Sequence, residues 1–400
     1  MNHRSRGAAL AAVGLAIAAV TVAPASARSA ACTQASPCSL AAAVAQPAGS
    51  TAYVKAGKYS GGYVIAKKLH LVAEGRVVLD ASTSPTGVGL DVVGPGGSGS
   101  VIEGFIVEKA QQEGILVGNN PGNPGGPPAP VSGVVVKNNI VEENDKGRTN
   151  PNATGECKAT PPAPVDCGGG IHLIWASNST VEGNVVAYNS DGILLTDEFG
   201  PTSHNVISKN RVLNNLWECG IVLAGHNPHG TDQSGKLTPD AAGVFANTIE
   251  NNLVRNNGVA ISGAGVLLGG GAPGSAVYDN VIRANTIDIN GHSGVTIHQH
   301  VAGYLGGNTI EDNTIGKGNI LGDDDFAAAQ DMQTTGILVA SGAPPGAQLP
   351  PFLLPQPITG TVIKGNKISN VAVGIWTLNT PGDFSGNTFG AGVTTPLSRH

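Results

Sequence analysis

The chain has 400 residues, a net charge of −6, only 12% charged side chains and 58 glycines. With 40% apolar residues it is not a disordered polyelectrolyte, and with no basic stripe it is not a nucleic-acid binder. Val, Ile and Leu recur throughout, so a large core is available.

At the N-terminus His3, Arg4 and Arg6 precede an apolar run from Gly7 to Val22, and Ala23-Pro24-Ala25-Ser26-Ala27 offers small residues for cleavage. Residues 1–27 read as a secretory signal peptide, and 28–400 as a single mature domain, secreted or periplasmic. The apolar run is too short for a membrane anchor, and no later stretch is long enough to span a bilayer. The cysteines fit export. Cys32 with Cys38, and Cys157 with Cys167, bracket short segments and are expected as two disulfides. Cys219, just before an apolar strand, is expected as a buried thiol. Ser39 to Ala45 reads as a short capping helix ahead of the first strand.

A phrase of Gly followed by alternating apolar residues then repeats. It occurs at Gly114, Gly170, Gly192, Gly220, Gly265, Gly294, Gly336 and Gly374, with a weaker form at Gly89. Between these falls apolar-x-x-Asn-x-apolar, as in Val181 to Val186, with Asn139, Asn184, Asn210, Asn252, Asn285, Asn313, Asn366 and Asn387 in one slot. A second column holds Asn144, Asn189, Asn215, Asn257 and Asn290. Short strands of period two, separated by turn residues and repeated at fixed order, predict stacked coils. Equivalent Asn side chains would then lie about 4.8 Å apart and form amide ladders. The fold class is all-β: a right-handed parallel β-helix of about nine to eleven coils. The helix-capped opening and the repeat resemble the pectate-lyase-like superfamily over essentially the whole mature chain, which implies the fold rather than an activity.

Insertions at about 119–132, 148–168, 226–243, 316–335 and 341–360 flank the Gly-apolar strands and are expected to wall a groove over that sheet. Counting from each Gly, positions two, four and six should face outward. In the middle coils these bring up Glu198, His226, His298 and His300, with Asp197 alongside. The coil between offers only Gly269 to Gly271, a trough in which a sugar ring fits. His172, Trp175 and Trp376 flank it as stacking surfaces. Glu198 and His226 are one coil apart and within touching range, whereas His226 and His298 are two coils apart, about 10 Å.

Gly225-His226-Asn227-Pro228-His229 resembles the Gly-x-Asp-Pro-His segment of mannuronan C5-epimerases, also right-handed β-helices. The resemblance implies that His229 works on a uronate C5 proton. Asn227 stands where that family has Asp, and Ala224 where its tyrosine-bearing variant has Tyr. Asn189-Ser190-Asp191 is similar to one polygalacturonase element, but the Asp pair and Arg-x-Lys of that family are missing, as is the groove arginine of pectate lyases.

The chemistry expected is therefore carbohydrate-active. His226 or His229 would abstract a proton alpha to a uronate carboxyl group, His298 or His300 would protonate the opposite side, and Asn227 or a metal would neutralise the carboxylate. Calcium has a candidate place at Asp323, Asp324 and Asp325 with Asp331. A zinc or copper set would draw on His226, His229, His298 and His300. Against a polyuronate stands the acidity of the chain. The alternatives are a glycoside hydrolase on a neutral polysaccharide, using Asp197 and Glu198 or Glu218, and a non-catalytic sugar- or metal-binding β-helix. The partner expected is an extracellular polysaccharide, and the protein a monomer or weak oligomer.

Overall fold

Every strand-to-strand ladder among the described residues is parallel, because each coil lays its strands on the same strands of the coil before. The computed structural model describes residues 30–118, 128–149, 168–320, 334–343 and 346–400. Three sheets run along the axis, of 18, 11 and five strands among those residues. The 11-stranded sheet carries the Gly-apolar phrase. It begins with Tyr63–Ile65, runs through Gly169–Ile174, Asp191–Thr196, Ile221–Gly225, Val266–Gly270 and Val295–Gln299, and ends with Thr395–Arg399. We call it the groove sheet. The coils wind right-handed, as parallel crossovers require. Its first strand also follows the phrase, as Gly62-Tyr63-Val64-Ile65 in register with Gly89, whereas its last carries Pro396 opposite Gly374.

The core is a column of aliphatic side chains. Ile171, Leu173, Ile193, Leu195, Ile221 and Leu223 point in from the groove sheet and meet Val181, Val186, Ile207 and Val212. The helix Leu40–Val44, N-capped by the Ser39 hydroxyl, places Leu40 and Ala43 over the open end of this column. The Cys32–Cys38 disulfide pins the same cap, with Cα atoms 5.2 Å apart. Cys219 is buried as expected, its sulfur accepting from Ala264 N. Cys157, Cys167 and the segment 1–27 read as a signal peptide lie outside the described residues, as do Asp323, Asp324, Asp325 and Asp331.

The asparagine columns are ladders. Asn210 shows the unit: its Oδ1 accepts from Asn184 N and Nδ2 at 2.9 and 3.0 Å, while its Nδ2 donates to Val181 O and to Asn252 Oδ1. A third ladder, Asn205–Asn247–Asn280–Asn308, runs beside the two legible columns. Its signal is a spacing of five: Asn205, Asn210 and Asn215 repeat as Asn247, Asn252 and Asn257. The ladder residues are not themselves in the strained turn conformation. That falls on the residue before each, such as Lys209 (φ 55°), Asn251 (56°) and Ile289 (56°).

The recurring glycine serves space. A Cβ on Gly192 would lie 2.1 Å from Gly220 O in the next coil and 2.4 Å from a Val212 methyl. Gly192→Ala is expected to cost about 2–3 kcal/mol through overpacking against a backbone that cannot yield, read as a lowered midpoint in urea unfolding. A change under a few tenths of a kcal/mol would show that the coils are not this tightly stacked.

Candidate active site

The pairing register sets the outward positions. Ile174, Thr196, Ala224, Gly269, His298 and Ala340 are direct neighbours along the groove sheet. His226 follows one strand end, and Gly271, whose N–H donates to Gly225 O, follows the next. A Cβ on Gly271 would sit 3.1 Å from the His226 ring, and one on Gly269 would sit 3.6 Å from the His298 ring. Bare backbone thus forms a floor with an imidazole on each bank. On the far bank His298 and His300 meet edge to face, centroids 5.0 Å apart.

His226 Nδ1 and Glu198 Oε1 are 2.6 Å apart, and both side chains are partly exposed. Burial works against the Glu198 carboxylate, but His226, the charge of His172 and the Thr196 hydroxyl outweigh it and bring the carboxyl down to about 2. Glu198 is therefore ionised at neutral pH, an acceptor only, and the hydrogen between it and His226 belongs to Nδ1.

Asp197 does something different from what its place beside Glu198 suggests. It is fully buried: Oδ1 accepts from His226 N and Asn227 N, and Oδ2 from Gly243 N. It clasps both ends of the 226–243 loop and cannot reach a substrate. Asn227 is also occupied, since its Nδ2 donates to Asp197 O and Glu198 O, and its Oδ1 accepts from His229 N. It shapes the turn and is not placed to neutralise a substrate carboxylate. His229 is exposed on that turn.

Burial pushes the Asp197 carboxyl up, the three N–H groups oppose it, and the Glu198 charge adds to the rise, for a net value of about 6. A raised carboxyl contributes stability below its unfolded value, 3.8, and loses it as pH climbs through about 6. From this group alone wild type should lose about 2 kcal/mol relative to Asp197→Asn between pH 4 and pH 7. Urea unfolding of both proteins across that range reads the difference, and a pH-independent gap would sink the assignment.

The other expected residues separate. His172 is buried and hydrogen-bonded on both ring nitrogens, so it is no stacking surface. Trp376 is buried too, stacked on His400 at 4.8 Å near the C-terminal end. Trp175 is half-buried against the Val88, Leu116 and Ile174 cluster. Outward positions in most coils are filled by such aliphatic stacks, which is why alternation alone overstated their exposure. Glu218 lies where the groove strands begin, at the opposite edge from Glu198. Among the described residues no three His, Cys, Asp or Glu side chains could hold a metal ion, so the four histidines do not make a zinc or copper set. Sequence reasoning misses Phe352. It is 77% exposed, next to Leu353, whose carbonyl accepts from Ala302 N just beyond His300. The Pro350-Pro351 pair before it is the only hint in the sequence.

A family model described as the right-handed beta helix region matches residues 87–235. No curated protein sequence matches the chain. Among solved structures, the A-module of the mannuronan C-5 epimerase AlgE6 of Azotobacter vinelandii is similar at 18% identity, covering 90% of this chain and 89% of that one with a TM-score of 0.54. The A-module of AlgE4 from the same organism gives 19% identity, 89% and 90% coverage and a TM-score of 0.51. The Agl-KA catalytic domain gives 14% identity, 87% and 62% coverage and a TM-score of 0.52. At such identities the likeness is one of fold, and with the parallel coils and asparagine ladders it identifies the chain as a right-handed parallel β-helix protein.

Proposed function

We propose that the protein is an exported enzyme acting on an extracellular polysaccharide, by histidine acid/base chemistry of the lyase or epimerase kind. One observation carries this reading: the 2.6 Å Glu198–His226 pair standing over a glycine floor, with His298 and His300 on the opposite bank. His226, with its hydrogen on Nδ1 held by Glu198, presents Nε2 as the base for a proton alpha to a carboxyl group. His298 or His300 returns a proton from the other side, either to carbon, giving epimerisation, or to the leaving oxygen, giving elimination. His229 is a second histidine within the same loop. Phe352 offers a sugar-stacking face at the edge of the groove. Export rests on the leader-like residues 1–27 and on the Cys32–Cys38 disulfide. Two of the fold neighbours are themselves named as mannuronan epimerases, which is consistent with this class of reaction.

A hydrolase needs two carboxylates facing one bond. Here Asp197 is buried and Glu218 is at the other edge of the sheet, which argues against that alternative. The test is incubation of the mature protein with uronate and neutral polysaccharides, with and without calcium. Unsaturated products, reducing ends and the C5 configuration by proton NMR are followed together. Unsaturation or inversion supports the proposal. Reducing ends alone move the case to a hydrolase centred on Glu198. Binding without turnover would leave a sugar-binding module.

A further inference from the structure

The groove pair rests on a buried file of polar side chains that crosses three coils. Glu113, His172 and Thr196 sit on successive strands of the groove sheet or just before them. Their side chains are buried, with Glu113 and Thr196 almost wholly out of water. His172 Nδ1 lies 3.1 Å from Glu113 Oε1, and His172 Nε2 lies 2.8 Å from Thr196 Oγ1. Thr196 Oγ1 in turn donates to Glu198 Oε2. Thr196 is held in place, since its carbonyl accepts from the Thr202 hydroxyl at 2.6 Å. Gly168 (φ 85°) packs against the same carboxyl, where a Cβ would lie 2.7 Å from Glu113 Oε1.

Counting hydrogens along this file leaves little choice. A hydroxyl has one hydrogen, and Thr196 gives it to the ionised Glu198. Thr196 must then accept from His172, so His172 carries a hydrogen on Nε2. A second hydrogen lies between His172 Nδ1 and Glu113. It is either on the imidazole, facing a carboxylate, or on Glu113, facing a bare nitrogen. Both forms are neutral as a pair, the only charge state that so dry a position holds at modest cost.

We propose that Glu113, His172 and Thr196 are positioning residues that share one buried proton and, by orienting Glu198, fix His226 with its hydrogen on Nδ1 and its basic nitrogen at Nε2. The proposal rests on the reading of His226 as the base and adds the device that sets its tautomer. No net proton is consumed: the shared proton stays within the Glu113–His172 pair while His226 takes and returns the substrate's.

The test is nitrogen-15 NMR of histidine-labelled mature protein, which reports each ring nitrogen separately. In wild type His226 is expected as the Nδ1–H tautomer above its titration, and His172 with Nε2 protonated at neutral pH. Thr196→Val should lower the Nδ1–H to Nε2–H ratio of His226 about fivefold, the factor set by one ordinary hydrogen bond. Thr196→Ser should restore it, which a merely structural role for the threonine would not predict. An unchanged ratio in a folded Thr196→Val protein would overturn the proposal, as would wild-type His226 carrying its hydrogen on Nε2. Should Thr196→Val not fold, wild-type His172 decides, and an unprotonated Nε2 there counts against the relay. The spectra need no substrate, so the relay can fail while polysaccharide turnover stands, and the reverse.

Discussion

His226→Ala lowers kcat/KM by about 100- to 10,000-fold, the usual contribution of a positioned acid or base, with the unfolding midpoint almost unchanged. The two halves of this result have one cause. The His226 ring is 40% exposed over a glycine floor, so its removal uncovers little core, while its backbone N–H stays on Asp197. Glu198→Gln should give a smaller loss, about 10- to 100-fold, because a neutral amide still fills the space but no longer dictates which nitrogen of His226 carries hydrogen. The measurement is kcat/KM on the glycan that the polysaccharide panel identifies, alongside the thermal midpoint. Retention of half the wild-type rate in His226→Ala would end the reading of His226 as the base and return attention to His298, His300 and His229.

Asn210→Leu destabilises the protein by about 4 kcal/mol, although leucine is larger and more apolar. The change strands Asn184 N and Nδ2 without their acceptor and Val181 O without its donor, all in the buried wall between coils. Each buried group left unpaired costs about 1–3 kcal/mol, and the apolar side chain returns only part of that. Asn387→Leu makes a useful contrast. Asn387 ends its ladder and is only half-buried, and about 1 kcal/mol is expected there. Urea unfolding of both variants supplies the numbers. Equal losses at the two positions would mean that the ladder does not act through burial.

The fold was legible because one coil writes the same phrase many times. Gly192, Ile193 and Leu195 mean little alone, but their counterparts at 220, 221 and 223 and at 265, 266 and 268 leave only a stacked arrangement. The Glu198–His226 contact was legible for the same reason, since register converts sequence separation into distance. Burial on the outer face was not. Leu194, Val222 and Leu267 cover one another there, and nothing in strict alternation announces it. Nor could the sequence show that the two oxygens of Asp197 are taken by backbone N–H groups from a loop that returns far along the chain at Gly243. Glu113 was invisible because its partner, His172, comes a whole coil later across a long insertion.

The three asparagine ladders differ in extent, and their overlap has a mechanical meaning. One runs from Asn139 to Asn387, one from Asn144 to Asn290 and one from Asn205 to Asn308. Among the described residues all three are present together only in the coils of Asn205–Asn215, Asn247–Asn257 and Asn280–Asn290, and the groove strands that follow carry His226, Gly269 and His298. The bed under the two banks is thus cross-braced at three corners, and elsewhere at fewer. Amide hydrogens there should exchange most slowly of any in the molecule. On the proposed function, a groove mounted so stiffly would take the polymer into a gap of fixed width, and the sugar chain rather than the wall would move between turnovers.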